Sequence, residues 1–212
     1  MGPIHPRLTV ISLGMLSVLL GGCFNLGGGT QQTTKFYVLS SLDTSKGDLK
    51  SGTSKNDMAI GVHPVKLPQY VDRPQIVTRS SSNEIETAPF DHWAEPLEDS
   101  LFSRVLAENL AVLLSTDRVV TYPWMRSMRT DYQVVVEVTR FDGALGGDVW
   151  MRARWAVLEG DGQKVLADRD STFKASTGAA TYEAMVSALS GLVADLSREI
   201  AVALEGIHQG QQ

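Results

Sequence analysis

Four histidines are the side chains of this chain best suited to acid–base chemistry or metal binding, namely His5, His63, His92 and His208. Their spacing from one another and from the single cysteine does not match that of a metal site. His92 follows Asp91, and a carboxylate with an imidazole is half of a catalytic triad, but the sequence contains no Gly-x-Ser-x-Gly nucleophile motif. It also lacks a glycine-rich phosphate-binding loop. We therefore interpret His92 as a surface or capping residue.

The single cysteine, Cys23, stands at the end of an apolar segment near the N-terminus. Arg7 supplies a positive charge, and an apolar run follows from Leu8 to Leu20, which is the layout of a secretory signal peptide. The run is shorter than the about 20 apolar residues that a transmembrane helix needs. With one cysteine the chain cannot form an internal disulfide, so packing has to hold the fold together.

The residues Leu20-Gly21-Gly22-Cys23 resemble the lipobox of bacterial lipoproteins, in which an aliphatic residue and two small residues precede the cysteine. The resemblance implies that residues 1–22 are a cleaved signal peptide. It also implies that the Cys23 thiol carries a diacylglyceryl group and that the new N-terminus accepts a third acyl chain. Two or more acyl chains anchor a protein stably. Phe24 replaces the aspartate typical of inner-membrane retention, which favours an outer-membrane location facing the periplasm.

The mature chain is predicted to be a tethered single domain. Residues 23–34 are rich in Gly, Gln and Thr and are typical of a flexible, lipidated tether. Residues 35–206 are long enough to bury a substantial core, and residues 207–212 are assigned to a tail. Residues 43–57 are polar and predict a loop. The net charge is −5 without a basic stretch, so nucleic-acid binding is not expected.

The periodicity of apolar residues predicts both strands and helices. Alternation or β-branched composition indicates strands at residues 35–40, 58–65, 70–79, 83–87, 132–140, 149–158 and 163–174. Helical spacing of apolar residues predicts one helix that begins near Pro96 and another over residues 181–204. This order predicts an α+β fold, with a largely antiparallel sheet and two helices packed on one of its faces.

Six segments, in this order and spacing, resemble the auxiliary lipoproteins of ABC-type transporters. They are IGVHPV (60–65), LPQYVDRPQIVTR (67–79), WAEPL (93–97), RVLAENL (104–110), YPW (122–124) and RFDG (140–143). Among such proteins, the chain looks most similar to the lipoproteins of paraquat-inducible (Pqi) systems. The resemblance implies a non-enzymatic component that docks with an MCE-domain protein in lipid transport between the two membranes. No cofactor is expected, and homo-oligomer formation stays open.

Arg79, Trp93 and Trp124 are the residues that we select as exposed partner contacts, because Trp and Arg are enriched at interface hot spots. A structural role for these motif residues is the competing interpretation, and Arg73 could equally form an internal ion pair. Two other functions stay open. An apolar pocket between helices and sheet would indicate a direct lipid carrier, and a serine or water positioned beside His92 would indicate a secreted hydrolase.

Overall fold

The computed structural model describes residues 32–42, 57–125 and 128–211. The predictions for the signal peptide, for Cys23, for most of the tether and for residues 43–56 therefore lie outside the described residues. Thr34 to Gln212 form one compact unit.

Eight strands and two helices make up the described part of this unit. They are β1 (Lys35–Tyr37), β2 (Ile60–Val62), β3 (Gln75–Arg79), β4 (Ile85–Trp93), α1 (Phe102–Leu113), β5 (Val119–Thr121), β6 (Tyr132–Gly143), β7 (Asp148–Glu159), β8 (Val165–Ser176) and α2 (Tyr182–Gly210). A π-helical turn, Leu97–Leu101, leads into α1, and Pro96 stands directly before it. These elements confirm the predicted α+β class.

Five of the strands form one sheet, in the order β5-β2-β6-β7-β8. Strands β6, β7 and β8 pair antiparallel along their length, whereas β2 runs parallel to both β5 and β6. In β6 and β7 buried and exposed residues alternate, because successive side chains of a strand point to opposite faces. The buried face carries Val134, Val136, Met151 and Trp155, each at most 1% exposed.

Both helices contact this sheet and each other: α1 lies against β2 and β5, and α2 against β6, β7 and β8. The buried Asn109 of α1 connects the two helices, since its Nδ2 donates to Ser197 Oγ of α2 at 3.1 Å. Its Oδ1 accepts from the backbone N–H of Leu42 at 2.7 Å. Thr181 caps α2 by accepting from Ala184 N.

The remaining three strands form a second sheet, in the order β1-β4-β3. Strand β1 pairs parallel to β4, and β3 pairs antiparallel to it with an irregularity between Gln75 and Val77. The prediction of one sheet was therefore incomplete: the described strands form two. Short strands such as β1 and β5 carry too few residues to establish a period, and tertiary pairing decides which sheet they join.

The prediction that residues 207–212 form a tail has to be corrected, because residues 207–210 belong to α2. The last turns are held by Tyr132, whose hydroxyl lies 3.2 Å from His208 Nδ1 and donates to Gln211 Oε1 at 3.0 Å. The helix is therefore stabilised by contacts with the start of β6, which the local sequence does not reveal.

Candidate functional site

Arg79 is part of a buried ionic cluster. Its Nε and Nη2 atoms donate to Asp142 Oδ2 at 3.0 and 2.7 Å. Tyr70 donates to the same oxygen at 2.6 Å, and Arg140 Nε donates to Oδ1 at 2.9 Å. The Asp142 side chain is 0% exposed and that of Arg79 is 23% exposed. The cluster joins β3 of the smaller sheet to β6 of the larger one, so Arg79 has a structural role in holding the two sheets together.

The electrostatics of this cluster favour ionised Asp142. Burial by itself raises the pKa of Asp142, but hydrogen bonds from Arg79, Tyr70 and Arg140 outweigh burial and hold that pKa below its usual range. Burial, together with the hydrogen bond to Asp142, raises the pKa of Tyr70. Hydrogen bonding to Asp142 raises the pKa of Arg79 against the opposing effect of burial. The cluster therefore holds a carboxylate, two guanidinium ions and a neutral phenol.

Trp93 is buried, and the expectation that it is exposed was wrong: its relative exposure is 6%. It is the last residue of β4, and its backbone N–H donates to Pro74 O at 2.7 Å. Beside it lies a cavity of about 330 Å³ lined by Asp72, Arg73, Pro74, Trp93, Ala94, Glu95 and Pro96. The two motifs DRP and WAEP thus meet in space, although about 20 residues separate them in sequence.

Arg73, at the edge of this cavity, is exposed, and its guanidinium pairs with no carboxylate of the described residues. The internal ion pair considered for Arg73 is therefore absent from the described part, and Arg79 forms such a pair instead. Asp72 accepts from Glu98 N, and Glu95 pairs with Arg104. These two carboxylates stabilise the start of the helical segment. Arg73 is therefore a charged side chain of the DRP motif without an ion-pair partner among the described residues.

Trp124 lies within an exposed apolar surface that we call the distal patch, formed by Tyr122, Trp124, Met125 and Met128. Tyr122, Met125 and Met128 are 56%, 66% and 45% exposed. Trp124 is half-buried and packs edge-on against Tyr122, with ring centroids 5.6 Å apart. The patch thus combines an anchored indole with a tyrosine and two flexible thioethers.

His63 and Gly61 hold the ring of Trp124 in position. His63 packs edge-on against it at 5.2 Å and stacks on Tyr122 at 5.9 Å, and His63 Nε2 lies 2.7 Å from Gln133 Oε1. Gly61 of β2 allows the close approach, because a Cβ there would lie 2.8 Å from Trp124 Cη2. The indole is therefore held by the sheet.

Two surface grooves adjoin the distal patch, and Met128, Arg129 and Thr130 line both of them. One, of about 470 Å³, is lined by Trp124, Met128, Arg129, Thr130, Asp131, Glu159, Gly160 and Asp161. The other, of about 430 Å³, is lined by Ala59, Asp117, Arg118, Val120, Met128, Arg129 and Thr130. Met128 and Arg129 border both grooves, so this end of the molecule offers apolar side chains beside concave surfaces.

The hydrolase interpretation of His92 finds no support in the geometry. Asp91 and His92 are consecutive in β4, so their side chains point to opposite faces. Asp91 Oδ1 accepts from the Tyr37 hydroxyl at 2.7 Å, and the His92 ring contacts Phe36 edge-on at 6.0 Å. His92 Nε2 is buried and has no hydrogen-bond partner among the described residues. The pair therefore does not form the carboxylate–imidazole contact of a triad.

Within residues 32–42, 57–125 and 128–211 the His, Cys, Asp and Glu side chains form no group of three or more that could hold a metal ion. None of the helices there is both long enough and apolar enough to cross a membrane.

The comparisons with known proteins agree with this architecture. Residues 37–201 match the family described as the ABC-type transport auxiliary lipoprotein component, and the chain belongs to that family. The crystal structure of an uncharacterized protein is 23% identical, with a TM-score of 0.65 over 81% of this chain and 99% of that chain. A comparison with curated proteins finds no significant match.

Two further solved structures are similar. A protein of family DUF330 from Xanthomonas campestris is 16% identical, with a TM-score of 0.66 over 84% of this chain and 100% of that chain. A PelC dodecamer from Paraburkholderia phytofirmans is 12% identical, with a TM-score of 0.41 over 69% of this chain and 86% of that chain. The first supports the fold, whereas the second is too distant to support any conclusion.

The three selected residues thus lie in three different places. Arg79 is in the ionic cluster, Trp93 is in the core, and Trp124 alone belongs to an exposed apolar surface. The sequence analysis missed Tyr122, Met125 and Met128 as members of that surface. Tyr122, Met125 and Met128 lie within seven consecutive residues that include the YPW motif, and the sequence there lacks strand or helix periodicity. Several apolar side chains outside a periodic element could have indicated an exposed apolar surface.

Proposed function

We propose that this protein is the membrane-anchored docking component of an ABC-type lipid transport system and that it binds a periplasmic MCE-domain protein. The Pqi-type systems, to which the sequence motifs look most similar, are the specific setting that we propose. The anchor is acyl chains on Cys23, and the location is the periplasmic side of the outer membrane. The observation that carries this proposal is the family match over residues 37–201.

The packing of the domain favours docking over direct lipid carriage. The space between the helices and the large sheet is filled by closely packed side chains such as Leu106, Trp155, Leu189 and Val193, each at most 1% exposed. The cavities that border the distal patch are open surface grooves. A carrier needs an enclosed apolar space for an acyl chain, whereas a docking component needs a stable body and an accessible surface.

Affinity capture tests the proposal directly. The full-length lipoprotein with a C-terminal tag is purified from detergent-solubilised membranes, and bound proteins are identified by mass spectrometry. We expect an MCE-domain protein to copurify in constant ratio with the wild-type chain. A matched His92→Ala protein distinguishes docking from hydrolysis, because it should retain both partner capture and transport. Absence of any MCE-domain protein from the wild-type sample contradicts the proposal.

A loss of transport in correctly folded and localised His92→Ala protein, with partner capture intact, would favour the hydrolase instead. Binding of a defined phospholipid by the purified domain, at one molecule per chain, would favour the carrier.

A further inference from the structure

The point at which the predicted tether enters the domain can be located from contacts within the unit. Lys35 begins β1, and Tyr37 donates its hydroxyl to Asp91. The chain then runs in the direction of α2, since Ser40 N donates to Ser190 Oγ and Leu42 N donates to Asn109, which bonds Ser197 further along that helix. Lys35 therefore lies toward the beginning of α2. The tether therefore joins the domain beside the N-terminal end of α2.

The distal patch lies at the other end of this helix. The end of α2 is bound by Tyr132 at the beginning of β6, through His208 and Gln211. Asp131, the preceding residue, lines the groove that also contains Trp124 and Met128. Because α2 has 29 residues, and an α-helix rises about 1.5 Å per residue, the two ends are about 43 Å apart.

This separation exceeds the usual reach of the predicted tether. Residues 23–34 form a chain of 12 residues, whose root-mean-square end-to-end distance is about 17–21 Å if it is flexible and rich in glycine. When Lys35 is nearest the membrane, the distal patch points about 40 Å into the aqueous space. In this orientation the exposed apolar surface meets proteins rather than the lipids of the anchoring membrane.

The composition of the patch fits a protein partner as well. Aromatic residues and Met are enriched in the cores of protein interfaces, and Met adapts to irregular surfaces because it is flexible and polarisable. Trp124 is held in place by Gly61 and His63, which lowers the entropy lost on binding. The exposed Arg129 borders both grooves and forms no ion pair with the described residues, so its guanidinium can donate hydrogen bonds to a partner.

We infer that the distal patch, formed by Tyr122, Trp124, Met125 and Met128, is the surface that docks the periplasmic MCE-domain protein. The partner contributes a segment that inserts aliphatic or aromatic side chains into the two grooves and offers a hydrogen-bond acceptor to Arg129. This inference rests on the proposed function and adds the surface and the orientation: the anchored end of the domain faces the membrane, and the patch faces the transporter.

Site-specific photocrosslinking in the full-length, membrane-bound chain tests the inference. A benzophenone amino acid is placed at Met125 in one protein and at Phe36 in another. These side chains are matched in exposure, at 66% and 65%, but lie at opposite ends of the domain. We expect crosslinks to the MCE-domain protein from position 125 and not from position 36.

A quantitative test uses substitutions that preserve the fold. The double variant Met125→Ser/Met128→Ser removes exposed thioethers, and we expect the Kd for the MCE-domain protein to rise about tenfold or more. The matched control Val202→Ser changes an apolar residue that is 68% exposed on α2, and its Kd should equal that of the wild type. Unchanged thermal unfolding in both variants shows that binding alone is affected.

The outcomes separate this inference from the proposed function. Wild-type protein that captures the MCE-domain protein, but crosslinks to it from position 36 and not from position 125, overturns the inference and leaves the proposed function intact. Crosslinks from position 125 to lipid or to a second copy of the chain also overturn it. Failure of the wild-type chain to capture any MCE-domain protein overturns both.

Discussion

Replacement of Arg79 by Met should destabilise the domain strongly, although the Arg79 side chain is partly exposed. The substitution keeps most of the aliphatic stem and removes the guanidinium, which donates two hydrogen bonds to the fully buried Asp142. Removing one partner of a buried ion pair costs roughly 3–5 kcal/mol. Asp142 keeps Arg140 and Tyr70, and Arg79 is 23% exposed, so we expect the lower end, about 3 kcal/mol.

Thermal unfolding followed by circular dichroism measures this effect. For a domain of this size, each kcal/mol shifts Tm by about 2–4 °C, so Arg79→Met should lower Tm by about 6–12 °C. The matched control is Arg154→Met, because Arg154 pairs with Asp170 across an exposed strand pair, with both side chains at least 66% exposed. The control should unfold at the wild-type temperature. Equal Tm values for the two variants would refute the assignment of Asp142 as a buried carboxylate that depends on Arg79.

The same cluster predicts how stability depends on pH. Because the pKa of Asp142 is lower in the folded than in the unfolded chain, its contribution is complete above the unfolded value of about 4. The contribution is lost as pH falls from there through the folded pKa. Asp142→Asn should therefore be less stable than the wild type at neutral pH, and its unfolding free energy should fall less between pH 5 and the most acidic pH at which the domain stays folded. Parallel decreases in the two proteins would argue against this linkage.

Three further predictions concern the core, the anchor and the tether. Trp93→Ala should cost about 3–5 kcal/mol in chemical denaturation, because it removes a side chain that is 6% exposed; a wild-type midpoint would contradict its burial. Cys23→Ala should yield unprocessed or unanchored protein in membrane fractionation and lose the lipid mass, whereas normal mature, membrane-bound protein would contradict lipidation. A chain that begins at Thr33 should be soluble and unfold cooperatively in urea, and aggregation would count against an independent domain.

The burial of Trp93 and the ion pair between Arg79 and Asp142 change how partner binding should be tested. Alanine at either position is expected to destabilise the domain, so reduced capture of a partner by such variants would not distinguish a lost contact from a lost fold. The exposed Met125 and Met128 avoid this difficulty, because they can be changed without removing core side chains. Whether Arg79, Trp93 and Trp124 also contact a partner stays a prediction.

Much of the fold followed from local pattern in the sequence. The alternation from Tyr132 to Val138, and again from Val149 to Val157, predicted β6 and β7 because one face of each strand packs against the helices. The two helices followed from apolar residues at helical spacing. In these elements burial repeats with the period of the backbone, so a single sequence contains enough information to predict them. Local sequence pattern also predicted the signal peptide and the lipobox, and neither prediction depends on a tertiary contact.

Only the tertiary structure decided the roles of the motif residues. Arg79 and Asp142 are 63 positions apart, and no local pattern shows that the guanidinium of one balances the buried charge of the other. Trp93 and Trp124 both occur in short motifs beside Ala or Pro, yet one lies in the core and the other at the surface. Burial and pairing between distant residues depend on which surfaces meet when the sheets and helices pack, and this is a property of the whole chain. The distal patch, in which Trp124 packs against Gly61 of β2, could not be predicted locally for the same reason.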